Sequence, residues 1–299
     1  MENSELNKKK YDSLIASQKN ISVFQNPWWM DATAGNENWD VWINEQSKTA
    51  FVYHFKKKYF QKALLPAILT PYQSNSSIDK TFFEAINNFD FVEFNVKDFS
   101  KMEMEELLKN NFDCTLKHTR IVDVKDVATI YTNYKSSLKR QIQKAEKNLT
   151  VIENEKLEVV YAVIEQVFQR QKKATPFSFL QLKKLDDAAA KNNSRNFWIA
   201  YNAYQQPCAA LYVVFDSACC YCIIGGIATA HKDSGAMCLL YHTAIQFAST
   251  KCNELDFCGS TIPSIDKFFS TFGAAKKDVL VINKYNNRLQ KWAINKWKK

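Results

Sequence analysis

The chain has 299 residues, 46% of them hydrophobic and 24% charged, which is typical of a globular protein of about two domains. No run of about 18 apolar residues occurs, and the polar N-terminus lacks the apolar region of a secretory signal, so we expect a cytoplasmic protein without an integral membrane segment. The 40 Lys and Arg against 31 Asp and Glu give a net charge of +9, which favours anionic partners such as phosphate, nucleic acid or an acidic membrane surface.

Several motifs of nucleotide-dependent and metal-dependent enzymes are absent. The six glycines form neither G-x-G-x-x-G nor a P-loop, and neither H-E-x-x-H nor G-x-S-x-G occurs. Cys219 and Cys222 have C-x-x-C spacing, but this odd separation places them on opposite faces of a strand, which argues against zinc. We interpret the eight cysteines as buried apolar side chains in a reducing compartment. We expect no metal and no tightly bound cofactor.

The first half of the chain mixes short strands and helices. Alternating apolar residues predict strands over 40–43, 49–55 and 89–96. Pro66 and Pro71 end the first sheet region, and residues 74–77 form a loop before a helix predicted over 79–87. Ser100 is predicted to cap the next helix, which carries Met104, Leu107 and Leu108.

Near residue 125 the pattern changes. A basic amphipathic helix is predicted over 135–147, with Leu138, Ile142 and Ala145 on its apolar face. The periodicity then predicts a strand over 151–153, helices over 157–172 and 178–190, strands over 196–201, 208–215 and 218–227, a helix over 236–249, a strand over 254–257, a helix over 265–272 and a strand over 279–282.

Three segments in the second half resemble the motifs of one protein family. Residues 134–147 (YKSSLKRQIQKAEK) resemble a segment in which serine and paired basic residues precede an I-x-K-A helix. Gly225-Gly226-Ile227 and then 239–245 (LLYHTAI) are similar to a glycine strand followed by an L-x-W/Y-x-A-I helix. The third set, 256–260 (DFCGS), Ile265 and 268–274 (FFSTFGA), resembles D-F-x-G-S followed by I-x-x-F-K-x-x-F-G-A. These motifs, with 24–29 (FQNPWW) similar to an opening F-x-x-x-W, resemble the FemABX family of tandem GNAT-like (N-acetyltransferase) transferases.

The order of the predicted elements and the resemblance together imply an α+β fold of two tandem GNAT-like domains. Each domain has a mixed, splayed sheet flanked by helices, and the splay opens a cleft for an acyl donor. We predict a degenerate N-terminal domain over 1–125 and a C-terminal domain with the motifs over 126–285. Residues 286–299 form a helix with a tryptophan stripe, which we expect to pack on the first domain rather than on an acidic membrane surface.

One position departs from the family pattern. Phe269 stands where the family has lysine, and Lys267 lies two residues earlier. In family members that modify peptidoglycan, the resemblance assigns that lysine to stabilising charge as the amide forms. Its absence argues against chemistry that depends on aminoacyl-tRNA.

A donor-binding site is predicted at the loop 231–236, which leads from a strand into a helix N-terminus. Backbone amides and the helix dipole bind phosphate at such a place. The loop partly resembles the coenzyme A pyrophosphate loop of acetyltransferases, although Met237 replaces a small residue; an ordinary capped helix is the alternative. The residues predicted to bind the donor are Lys232, Ser234, Gly235 and Ala236.

Asp256 and Tyr221 are the predicted catalytic residues. Asp256 closes the penultimate strand beside the expected cleft, where it would accept a proton from the attacking amine or orient it, or only cap the next turn. Tyr221 would donate to an acyl oxygen, or only pack in the sheet. The predicted substrate-binding residues are Lys139, Arg140, Lys144, Gly259, Ser260 and Lys267.

We predict an N-acyltransferase that carries an acyl group from an acyl-CoA thioester to an amine. A first alternative uses aminoacyl-tRNA as donor and a cell-wall precursor as acceptor; it is favoured by the basic charge and opposed by Phe269. A second alternative is a catalytically degenerate module that binds an anionic partner, favoured by Met237 and Phe269. In the first two hypotheses, acyl-CoA or aminoacyl-tRNA is a substrate, and the acceptor is an amine-bearing small molecule or a cell-wall precursor.

Overall fold

The computed structural model describes residues 2–16, 18, 21–58, 61–73, 80–259 and 262–285. The chain divides into two compact units: unit 1 is Met1–Lys117 with Asp278–Lys299, and unit 2 is His118–Lys277. These units divide the chain at 117/118 and 277/278, and the predicted domain boundaries at 125/126 and 285/286 stay predictions. None of the helices in the described ranges has the length and hydropathy needed to cross a bilayer.

The helices and strands have the following bounds. The helices are α1 (Glu2–Ala16), α2 (Pro27–Thr33), α3 (Lys80–Ile86), α4 (Lys101–Lys109), α5 (Val127–Thr132), α6 (Ser136–Asn148), α7 (Leu157–Arg170), α8 (Phe179–Lys191), α9 (Ala236–Ala248) and α10 (Pro263–Ser270). The strands are β1 (Trp39–Asn44), β2 (Thr49–Lys58), β3 (Gln61–Leu65), β4 (Phe91–Lys97), β5 (Asp113–Asp123), β6 (Leu149–Glu153), β7 (Arg195–Asn202), β8 (Pro207–Phe215), β9 (Cys219–Ile227), β10 (Glu254–Asp256) and β11 (Ala275–Tyr285).

Unit 1 is built on the strand order β1-β2-β3-β4-β11. β3 and β4 are parallel, and the other neighbours are antiparallel. β11 comes from the second stretch of the unit, and its residues 279–285 pair with β4. Its Leu280 and Ile282 are fully buried in an aromatic core with Phe51, Phe82 and Phe94.

Unit 2 is built on the strand order β5-β10-β9-β8-β7-β6. β9 and β10 are parallel, with α9 as the connection between them, and the remaining neighbours are antiparallel. Two adjacent glycines show that α7 and α9 lie on opposite faces of β9. A Cβ at Gly226 would lie 2.7 Å from Val167 of α7, whereas one at Gly225 would lie 3.2 Å from the Tyr241 hydroxyl of α9.

The predicted order of the second half is confirmed, including two helices, three strands, a helix, a strand, a helix and a final strand. The apolar face of α6 is confirmed as well, because Leu138, Ile142 and Ala145 are buried. Ser100 caps α4 by accepting a hydrogen bond of 3.1 Å from the Glu103 amide. All eight cysteines are free thiols; six are buried as predicted, whereas Cys114 and Cys258 are only half-buried. The loop at 74–77 and the helix at 286–299 lie outside the described residues.

Candidate active site

The candidate site of unit 2 begins where its two parallel strands separate. β9 and β10 pair at only three positions, of which Tyr221–Asp256 is the last. β8 pairs with β9 as far as Ile227, whereas no strand in the described ranges pairs with the other edge of β9 after Tyr221. We call the space beside this edge, at residues 222–227, the cleft. Ligands of sheets with parallel strands bind at the carboxyl ends of those strands, and the cleft opens there.

A β-bulge lies in the same part of β9. Tyr212 of β8 pairs with Ile224 and Val213 pairs with Cys222, which leaves Ile223 as the extra residue. Bulges are common beside active sites because they change the direction of side chains. Gly225, two residues further along the strand, is exposed. The strand is therefore irregular beside the cleft, and Gly225 is exposed there.

Asp256 is placed at the point where the strands separate, and its side chain is fully buried. Its Oδ1 accepts hydrogen bonds from the Thr119 hydroxyl at 2.5 Å and from the Cys258 amide at 2.7 Å. A carboxylate that accepts from the amide two residues later holds the chain in a turn. These contacts hold the turn at which β10 ends. The proton-accepting role of Asp256 stays a prediction.

Residues 258 and 259 complete this turn in the left-handed conformation, with φ angles of 57° and 74°. Gly259 lies against β5, because a Cβ there would be 3.3 Å from the His118 carbonyl oxygen. Ser260, predicted to bind substrate, lies outside the described residues. Tyr221 is directly beside Asp256 in the sheet and is 6% exposed. Its predicted catalytic role, like the substrate role of Gly259, stays a prediction.

The loop predicted to bind the donor forms the N-terminus of α9. Gly235 is its N-cap with φ 76°, and a Cβ there would lie 2.9 Å from the Gln141 carbonyl oxygen, so both conformation and space require glycine. Ser234 Oγ accepts from the Ala236 amide at 3.2 Å. The amides of Met237 and Cys238 make no hydrogen bond within the described residues, as is usual in the first turn of a helix. Lys232 is exposed beside them.

The basic helix α6 packs against this loop. Cys238 Sγ donates to Gln141 Oε1 at 2.9 Å, which fixes the contact between α6 and the start of α9. Arg140 and Lys144 are exposed next to Gln141, and neither forms an ion pair within the part of the chain that the structure describes. Two of the three predicted cations therefore lie exposed on the helix that contacts the loop.

Lys139 has a different environment from its neighbours. Its Nζ donates to the Thr132 carbonyl oxygen at 3.2 Å and lies 5.2 Å from the centre of the Tyr131 ring. The ammonium group is therefore held by its own unit through a hydrogen bond and a cation–π contact. Its substrate role stays a prediction, but the local contacts are those of a residue that stabilises the start of α6.

The position where the family motif has lysine is an apolar one in this chain. Phe269 is 4% exposed and stacks on Phe257 with ring centroids 4.4 Å apart. Tyr241 of α9 contacts the same ring, with centroids at 5.5 Å. Lys267, two residues earlier on α10, points to solvent and is exposed. Lys267 therefore lies outside the buried aromatic cluster that Phe269 occupies.

β5 supplies site residues that the sequence patterns did not single out. Thr119 holds Asp256, and Arg120 donates to both carboxylate oxygens of Asp266, at 2.7 Å and 3.0 Å. The strand was not predicted, because its polar and charged residues do not alternate clearly with apolar ones. Tyr241 was missed for another reason: it lies inside a motif segment, but only its contact with Gly225 shows that it faces β9 near the cleft.

Comparison with known proteins shows what this chain is similar to. Residues 132–264 match the family described as Acetyltransferase (GNAT) domain. No curated protein matches the chain significantly. Among solved structures, FemX is similar over 91% of this chain and 95% of its own, with a TM-score of 0.65 and 11% identity.

Two further structures are similar over nearly their whole length. L-PGS from Bacillus licheniformis matches 94% of this chain and 93% of its own, with a TM-score of 0.58 and 10% identity. A tandem GNAT protein from the clavulanic acid biosynthesis pathway matches 94% and 95%, with a TM-score of 0.57 and 9% identity. At these identities the likeness shows the fold.

The part of unit 2 that spans residues 132–264 is similar to the Acetyltransferase (GNAT) domain family. The chain is similar in fold to FemX and to a tandem GNAT protein over more than 90% of its length, so the predicted fold class of two tandem GNAT-like domains is confirmed.

Proposed function

We propose that the protein is an N-acyltransferase that transfers an acyl group from an acyl-CoA thioester to an amine in the cleft of unit 2. The separation of β9 from β10 after Tyr221–Asp256 carries this proposal. It leaves one edge of β9 to pair with the amide groups of an extended pantetheine arm, in the way that a strand would pair.

The charges near the start of α9 support an anionic donor. The amides of Met237 and Cys238 lie in the first turn of α9, at the positive end of the helix dipole. Lys232, in the loop before the helix, is exposed. Arg140 and Lys144 add two cations from α6. We propose that these groups bind the phosphates of coenzyme A, while the thioester end lies in the cleft.

The transfer needs no covalent intermediate on the protein. The amine nitrogen forms a bond to the acyl carbon and the carbon–sulfur bond breaks; the nitrogen loses one proton and the released thiolate takes one up. Cys222, the thiol on the cleft strand, is buried, and burial raises its pKa well above its ordinary value. It therefore stays a protonated thiol, which is a poor nucleophile and supports direct attack by the amine.

Within this mechanism we assign Asp256 to positioning, because its carboxylate is enclosed and holds the turn that separates the strands. Tyr221 is its partner in the last pair of residues between β9 and β10 before the cleft. The amine must arrive unprotonated at the acyl carbon, and we propose that its proton leaves to solvent through the open side of the cleft.

The aminoacyl-tRNA alternative is favoured by one observation, the exposed and unpaired Arg140 and Lys144 on α6, since such a face also suits a polynucleotide. Against it, Phe269 occupies an apolar position where the family motif has lysine. We therefore give the thioester donor precedence and test both donors in one experiment.

Thermal unfolding with coenzyme A, acetyl-CoA or charged tRNA distinguishes these donors. Acetyl-CoA at about 100 times its dissociation constant should raise the free energy of unfolding by about 2.7 kcal/mol. Gly235→Ala is the matched control, because its Cβ would displace the loop from Gln141 and should abolish most of the ligand-induced shift. A shift with charged tRNA alone would contradict the thioester donor. Binding of acetyl-CoA without transfer of its acetyl group to any amine tested, and so without release of coenzyme A, would favour the degenerate module.

A further inference from the structure

The hydroxyl of Tyr241 lies at the open part of β9. The hydroxyl lies next to Gly225. This glycine is exposed and belongs to the stretch of β9 that does not pair with β10. A Cβ at residue 225 would lie 3.2 Å from the Tyr241 hydroxyl and 3.4 Å from the end of the Met237 side chain. The missing side chain of Gly225 thus leaves the phenol beside the path of a ligand that follows the strand.

The hydroxyl has no hydrogen-bond partner among the described residues, although Tyr241 is only 7% exposed. Its ring is enclosed by four phenylalanine rings, with centroids at 5.1–5.9 Å, from Phe257, Phe268, Phe269 and Phe272. Buried tyrosine hydroxyls normally find a partner. Two others in unit 2 do so: Tyr212 donates to Asp186 at 3.1 Å, and Tyr134 lies 3.3 Å from His242 Nδ1.

The phenol is a donor and not a base. Burial raises the pKa of Tyr241 well above its ordinary value. The group therefore keeps its proton at neutral pH. Phenylalanine rings enclose the tyrosine ring, whereas the hydroxyl oxygen itself is not fully buried and is accessible to a ligand beside Gly225.

We propose that the Tyr241 hydroxyl donates a hydrogen bond to the carbonyl oxygen of the donor's acyl group. The bond would strengthen as negative charge develops on that oxygen during attack, and the proton stays on Tyr241 throughout. The inference rests on the thioester donor proposed above, and it adds the group that recognises the acyl end of that donor.

Binding of acetyl-CoA and of coenzyme A, measured by calorimetry, tests this contact without a known acceptor. Tyr241→Phe should weaken acetyl-CoA binding about fivefold and leave coenzyme A binding unchanged, because only acetyl-CoA carries the carbonyl. Tyr134→Phe removes a partnered hydroxyl elsewhere in unit 2 and should leave the ratio of the two affinities unchanged. The infrared carbonyl band of bound, carbon-13-labelled acetyl-CoA should move to higher frequency in Tyr241→Phe.

The unliganded protein provides an independent readout. Because the hydroxyl has no partner to lose, Tyr241→Phe should unfold at the same or a higher temperature than the wild type. A lower unfolding temperature, or an equal loss of affinity for both ligands, would show that the hydroxyl is structural and would overturn the inference. Unchanged affinities in Tyr241→Phe would overturn this inference alone, whereas a wild type that binds neither ligand would overturn the proposed donor and this inference with it.

Discussion

At the scale of single residues, the carboxylate of Asp266 shows how unit 2 fixes α10. Arg120 binds both of its oxygens, and His118 Nε2 donates to Oδ1 at 2.9 Å. A further Arg120 bond of 3.0 Å reaches the Ala274 carbonyl oxygen, at the end of the motif that follows α10. The pKa of Asp266 lies well below its ordinary value, mainly because Arg120 donates hydrogen bonds to the carboxylate. The hydrogen bond from His118 lowers it further.

This arrangement predicts a specific loss of stability in acid. Because the folded carboxylate has the lower pKa, its stabilisation is complete above the unfolded pKa of about 3.9 and is lost as the pH falls below it. Asp266→Asn should lower the unfolding temperature at pH 7. In this variant the unfolding temperature should also fall less steeply than in the wild type as the pH is lowered from about 5 to about 3. Unfolding temperatures measured across this range check the prediction.

Asp187→Asn is the matched control for the acid experiment. Asp187 is 62% exposed and pairs with Lys183 one turn away on α8, an arrangement that contributes little to stability. Its replacement should leave the pH profile of the wild type unchanged. An equal flattening in both variants would show that the Asp266 contacts do not cause the acid sensitivity.

At the scale of elements, the contact of α6 with the start of α9 is the reason why we assign Arg140 and Lys144 of α6 to the proposed phosphate site. Reversing Arg140 and Lys144 to glutamate should weaken coenzyme A binding about fivefold for each reversal, since each exposed charge contributes about 1 kcal/mol at most. Stability should change little, because neither side chain has an ion-pair partner within the described residues. Calorimetric titration of both variants measures the effect.

Lys147→Glu is the control on the same helix. Lys147 is exposed near the end of α6, nearly two turns after Gln141 and two residues after Ala145, which both lie against the start of α9. Its reversal removes the same charge from the protein and should leave the affinity within about twofold of the wild type. If it weakened binding as much as Arg140→Glu, the site would depend on net charge and not on the α6–α9 contact.

The sequence was sufficient for elements with a strong apolar period. α6 was predicted from Leu138, Ile142 and Ala145, and all three are buried. β3 and β5 were missed, since Gln61–Leu65 has no alternation and Lys117, His118 and Arg120 give β5 the composition of a loop. Sheet pairing supplies the stability of such strands, and pairing partners cannot be read from local periodicity.

The candidate site was also predictable only where it depends on a local sequence pattern. The loop before α9 has a local signal, because glycine precedes an apolar helix. The contacts of Asp256 with Thr119 and of Tyr241 with Gly225 join residues far apart in sequence, and only the folded sheet brings them together. The domain boundaries, the cytoplasmic location and the site assignments stay predictions.

At the scale of the whole molecule, the net charge of +9 should favour binding of an anionic donor at low ionic strength. Raising the salt concentration from about 0.05 M to about 0.5 M should weaken coenzyme A binding roughly tenfold, because the Debye length falls below the spacing of exposed charges. Acetylated pantetheine, which has no phosphate, should bind weakly but with little dependence on salt. Equal salt dependence of both ligands would contradict an electrostatic phosphate site.

The chain order of unit 1 has a consequence for its synthesis on the ribosome. β11, which pairs with β4 and buries Leu280 and Ile282, is translated only after all of unit 2. At ordinary translation rates, the nascent first stretch waits on the order of ten seconds or more for this strand. The second unit can therefore complete its fold before the first, reversing the usual N-to-C order. During that delay the exposed edge of β4 is a natural substrate for ribosome-associated chaperones.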